Sequence, residues 1–136
     1  MENNPNFENP KIESISSQHF AELTPEIVNV DYDLWTLRIT LSFSKINKPV
    51  VYVIFKNVIG FRLLDEGSLL EFWGKGRANG WLWKVKSGGW FDLERSRKGF
   101  VEGYIENESR EEYLVAGIND CLNVIALNEP EIVVPE

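Results

Sequence analysis

Sulfur and imidazole are nearly missing from this chain of 136 residues, which has one cysteine, Cys121, and one histidine, His19. A lone cysteine closes no intrachain disulfide, which fits a reducing compartment. One His and one Cys cannot supply the usual nitrogen and sulfur ligands of a zinc site. A catalytic thiol at Cys121 would have to draw its base from His19, the only imidazole; a buried free cysteine packing as a small hydrophobe is the simpler expectation. His19 reads as a surface or turn residue. Long hydrophobic runs are also absent: none approaches the roughly 20 residues of a membrane span. The opening Met1-Glu-Asn-Asn-Pro5 has neither a basic stretch nor an apolar one, so no signal peptide is expected. Together these absences point to a cytoplasmic protein away from membranes, with no cofactor and no metal. Basic residues are outnumbered as well, 14 against 21 acidic ones, for a net charge of −7. Nucleic-acid binding needs Lys and Arg in excess to neutralise phosphates, so it is not expected of the chain as a whole.

Aromatic residues are present in quantity, with eight Phe and five Trp, and apolar residues make up 43% of the chain. That content excludes global disorder. The length fits a single domain over 1–136, in which roughly two-thirds of the unfolded surface can be buried. Residues 1–12, rich in Asn, Pro and Glu, read as a flexible N-terminal arm. A short turn is expected over Ser16–Phe20, and one helical turn at Thr24-Pro25-Glu26.

The dominant periodicity is two. Trp35, Leu37, Ile39, Leu41 and Phe43 alternate with Thr36, Arg38, Thr40, Ser42 and Ser44. A strand places the first set on a core and the second in water. Val50–Phe55 is apolar on both faces and reads as an interior strand, paired antiparallel with the one before it. Asn57–Leu64 is a third strand, with Gly60 marking a bulge or bend. Trp81, Trp83 and Val85 alternate with Leu82, Lys84 and Lys86, and Trp90-Phe91 continues the extended chain after Ser87-Gly88-Gly89. Phe100–Ile105 adds a strand. Tyr113–Ala126 forms a hairpin, in which a two-residue Asn119-Asp120 turn sets Ile118 opposite Cys121 and Val115 opposite Val124. Glu131–Val134 is expected to add an edge strand beyond Pro130. The fold expected is mainly β: a single antiparallel, strongly curved sheet, barrel-like or sandwich, with at most one or two short helices.

No catalytic constellation emerges. Asp65-Glu66 and Glu111-Glu112 are adjacent carboxylates, but neighbours on a strand point to opposite faces, so neither doublet can act as a glycosidase pair. Gly74-Lys-Gly-Arg-Ala-Asn-Gly80 is glycine-rich, but its Gly-Lys lacks a following Ser or Thr, so it is no phosphate loop. Its basic residues and the nearby Trp81, Trp83 and Trp90 have the composition of a stacking platform for single-stranded nucleic acid. Against that, the same tryptophans suit the core of a small β domain. A small-ligand-binding β-barrel is also open, with Trp35, Phe43, Tyr52 and Trp83 as its lining.

From Trp81 onward the chain resembles the β-rich immunity proteins of bacterial polymorphic and contact-dependent toxin systems. The resemblance lies in Trp81-x-Trp-x-Val-x-Ser-Gly-Gly-Trp90 with Asp92-Leu-Glu94, in Glu112-Tyr-Leu-Val-Ala-Gly-Ile-Asn-Asp-Cys-Leu-Asn-Val124, and in Pro130-Glu-Ile132. It covers scaffold and carries no active-site motif. It implies a small cytoplasmic inhibitor that binds and neutralises a cognate toxin domain, such as a basic nuclease. The acidic third of the chain suits that role: residues 99–136 hold nine acidic residues against Arg110. The expected partner-binding residues are the acids taken to be exposed there, Glu102, Glu106, Glu108, Glu111, Glu112 and Asp120. The oligomeric state is not legible.

Overall fold

The computed structural model describes residues 10–43, 50–65, 80–95 and 110–135. Within them lie nine strands and one helix: β1 (Lys11–Ser14), β2 (Glu26–Asp33), β3 (Thr36–Ser42), β4 (Val50–Phe55), β5 (Val58–Asp65), β6 (Leu82–Ser87), α1 (Trp90–Glu94), β7 (Glu111–Ala116), β8 (Asp120–Ala126) and β9 (Glu131–Val133). All pairings are antiparallel. The strands divide into two open sheets rather than the single sheet expected, one ordered β1-β6-β7-β8-β5 and the other β2-β3-β4-β9. Neither closes on itself.

Alternation explains how the sheets meet. Leu37, Ile39 and Leu41 of β3, with Val51, Val53 and Phe55 of β4, are fully buried. They share one core with Leu82, Tyr113, Val115, Leu122, Val124 and Ala126 of the five-stranded sheet. The Phe55 and Tyr113 rings meet at 5.3 Å across this core, and those of Phe43 and Trp81 at 5.8 Å. Each large side chain so enclosed stabilises the fold by about 1.5–3 kcal/mol. The five-stranded sheet is buried on its other face too, where Trp83, Val85, Leu114, Ala116 and Cys121 form a second cluster. This double burial accounts for the apolar character of β7 and β8 on both faces, and it makes Cys121 a packing residue.

Several expectations need correction. The arm expected over 1–12 does not include Lys11 and Ile12, which belong to β1, where Lys11 pairs with Ser87; residues 1–9 lie outside the described residues. Thr24-Pro25-Glu26 forms no helical turn; Glu26 begins β2, and the Pro25 carbonyl accepts the Ile118 amide. Trp35 leaves the β3 alternation for the turn between β2 and β3 and is exposed. In β6 the expected alternation holds, with Trp83 and Val85 buried in the second cluster and Lys86 exposed, but Leu82 on the lysine face is buried as well and joins the inter-sheet core. Trp90-Phe91 is helical rather than extended. The β7–β8 register is displaced by two residues. Ala116 faces Cys121 and Tyr113 faces Val124, around a four-residue turn closed by the Gly117 amide and the Asp120 carbonyl. A slip of two preserves which side chains share a face, so Val115 and Val124 still lie on one face of the sheet although they are not paired. The expected strand at Phe100–Ile105 lies outside the described residues.

Candidate binding surface

One of the acids expected to contact a partner, Glu112, does something else. It lies on β7 between Val85 of β6 and Ile125 of β8, on the face away from the inter-sheet core, and is only 5% exposed. Its carboxylate receives three hydrogen bonds. Oε2 accepts the Trp90 amide at 2.9 Å and the Asn123 side-chain amide at 3.0 Å, and Oε1 accepts the Phe91 amide at 2.8 Å. Trp90 and Phe91 open α1, whose N-cap, Gly89, supplies no side-chain bond. Glu112 therefore caps the helix from a strand 21–22 residues away in sequence, satisfying amides the first turn leaves unpaired.

Gly89 is what permits this approach. A Cβ there would lie 2.6 Å from Val85 Cγ1 and 2.8 Å from Glu112 Oε2, closer than any side chain tolerates. Asn123 Oδ1 in turn accepts the Arg62 Nε–H at 3.0 Å, and the Arg62 guanidinium carbon stands 5.5 Å from the Trp90 ring centre. Burial pushes the Glu112 carboxyl above its ordinary value, and its hydrogen bonds and the charge of Arg62 offset only part of that rise. The Tyr113 phenol on the opposite face is also raised, by burial first and then by the carboxylates of Glu129 and Glu111.

Beside Glu112 opens a cleft of about 220 Å³, bordered by Lys86, Asp92, Arg95, Arg110 and Glu111. The Arg110 guanidinium carbon sits 3.8 Å from the Phe91 ring centre, stacked on α1. Among the described residues no three His, Cys, Asp or Glu converge as a metal site. No helix among them is long and apolar enough to cross a membrane.

The remaining expected contact residues divide. Glu111 and Asp120 are half-buried at the two ends of the β7–β8 hairpin's pairing. Glu102, Glu106 and Glu108 lie outside the described residues. Glu112 is corrected from an exposed acid to an internal one. The aromatic alternatives disperse as well. Trp81 and Trp83 are fully buried and offer no face to a base. Trp35 is exposed, Tyr52 lies under the Arg38 guanidinium, and Phe43 and Trp83 belong to different clusters, so these four line no common cavity.

Sequence reasoning missed the most exposed apolar stretch among the described residues. Leu34 is 67% exposed, Trp35 57%, Val28 52% and Tyr32 46%, all in β2 or the turn that ends it. The exposed Asp31 and Asp33 lie between them, on a strand that forms one edge of its sheet. No local signal in the sequence marks this tip, because Trp35 continues the alternation of β3. Compared with protein-family models, with curated proteins and with solved structures, the chain finds no match.

Proposed function

We propose that the chain is a cytoplasmic inhibitory binding protein of the bacterial immunity type, which binds a cognate toxin domain and neutralises it. The observation that carries this reading is the run of exposed large apolar side chains, Val28, Tyr32, Leu34 and Trp35, beside exposed Asp31 and Asp33. Apolar groups left in water between like charges suit the centre and rim of a protein–protein contact. The net charge of −7 favours a basic partner, and a toxin domain that acts on nucleic acid is basic where it meets phosphate. An acidic inhibitor associates fast with such a surface and covers it. The resemblance of the Trp81–Ile132 region to immunity proteins points the same way. Glu111 and Asp120, half-buried at the hairpin, remain contact candidates, as do Glu102, Glu106 and Glu108 from sequence alone.

The test is co-expression with the product of the neighbouring gene, read by growth. Restored growth and a purified complex of the two chains are expected. Continued arrest, with no complex formed, would overturn the reading.

A further inference from the structure

The turn joining β2 to β3 is made of two residues, Leu34 and Trp35, closed by the facing pair Asp33 and Thr36. Both have positive φ, 37° and 77°. A two-residue hairpin loop with positive φ at both positions is the site where Asn-Gly is favoured, because those residues tolerate the left-handed region. A leucine followed by a tryptophan is a poor choice for the backbone, and a bulky residue there is a genuine outlier. Nor does packing explain it, since both side chains are more than half exposed.

The strained backbone is nevertheless held firmly. The Trp35 amide donates to the Tyr32 hydroxyl at 3.2 Å, and the Trp35 carbonyl accepts the Val58 amide at 3.0 Å. Val58 opens β5 in the other sheet, so the tip is pinned across the sandwich. The Tyr32 ring packs on Phe61 of the same strand at 5.4 Å. Strain kept in place by surrounding contacts, with the strained side chains turned to solvent, is the pattern of a binding element. Rigid presentation also lowers the entropy lost on association.

We infer that the Leu34–Trp35 tip is the anchor of the interface, inserting into an apolar cleft of a partner protein whose rim carries Lys and Arg. This rests on the reading of the chain as an inhibitory binding protein. The rim follows from Asp31 and Asp33, which are exposed on the strand leading to the tip and form no ion pair with another described residue. Tryptophan and tyrosine are the side chains that most often dominate interface energetics when they fill a pocket.

The double variant Leu34→Asn/Trp35→Gly tests the anchor, because it installs the residues the turn prefers while removing the apolar side chains. With the neighbouring gene's toxin domain as probe, the dissociation constant should rise by roughly 30-fold or more, as for the loss of a dominant contact. Growth rescue should fail, while the thermal midpoint of the isolated variant stays level or rises. A second variant, Asp31→Lys/Asp33→Lys, keeps the tip and should slow association about tenfold or more at low salt. Unchanged binding by the two variants would overturn the inference and leave the inhibitory function standing. A lowered midpoint in the tip variant together with weakened binding would assign the tip to folding instead. Failure of the unaltered chain to bind the toxin domain or rescue growth would defeat the functional reading, and the anchor with it.

Discussion

A carboxylate closed off from water must find donors or give up its charge, and Glu112 does the first at some cost. Three donors converge on it from α1 and β8, yet burial still holds its carboxyl above the ordinary value of 4.5. An acid whose folded-state value is raised binds its proton more tightly in the folded protein. Its contribution to stability is complete below the unfolded value and is lost as pH rises through the folded one. Glu112→Gln removes that titration. The thermal midpoint of the unaltered protein should therefore decline relative to that of the Gln variant as pH climbs from about 4.5. Glu112→Ala instead strands the Trp90 and Phe91 amides, and should cost about 1–3 kcal/mol at neutral pH in denaturant melts. A parallel pH course for the unaltered protein and the Gln variant would show that the carboxyl is not perturbed. Nothing local in the sequence marks this role. Glu112 sits in the charged run Glu108-Ser-Arg-Glu-Glu112, and its two backbone donors, Trp90 and Phe91, lie more than twenty residues away.

Elements are legible where one regular pattern governs them and illegible where long-range contacts intervene. β3, β4 and β5 follow from alternation, double-sided apolarity and the Gly60 bulge, which is where the β5–β8 register shifts. β2 hides because its own register shifts between Ile27 and Asn29, so the partly buried Ile27 and Val30 fall three residues apart and break the period of two. α1 hides because its capping group is supplied by β7. In the β7–β8 hairpin the faces are readable, whereas the register is set by the wider turn that Gly117 and Asp120 close. The candidate surface is legible only as charge. Trp35 satisfies the β3 alternation on paper, and its left-handed backbone breaks that pattern just before β3 begins. The placement of β8 carries a direct consequence. Cys121, itself fully buried, faces Ala116 and the partly buried Leu64 in the second cluster. A thiol reagent should therefore label the native protein at a rate set by opening of the sheet, and label one thiol per chain promptly in denaturant. Rapid stoichiometric labelling without denaturant would show that the outer face of this sheet is uncovered.

At the scale of the whole molecule, charge and apolar surface would divide the work of association in the proposed complex. A net charge of −7 acts over the Debye length, about 10 Å at 0.1 M salt and about 3 Å at 1 M, so it governs the approach of a partner. The uncharged Leu34–Trp35 tip acts only at contact, so it governs residence. The field is uneven: the 75–98 stretch holds seven basic residues against two acidic ones, while 99–136 is strongly acidic, so a basic partner is also oriented as it approaches. The two roles separate in a kinetic experiment on the proposed complex with a toxin domain. Raising the salt from about 0.05 M to about 0.5 M should cut the association rate constant roughly tenfold or more, and change the dissociation rate constant by less than about twofold. Replacing Trp35 with Ala should do the reverse, speeding dissociation and leaving the salt dependence of association intact. If salt instead accelerated dissociation as strongly as it slowed association, the acids would lie inside the closed interface. Their burial against basic groups, rather than the hydrophobic tip, would then hold the complex together.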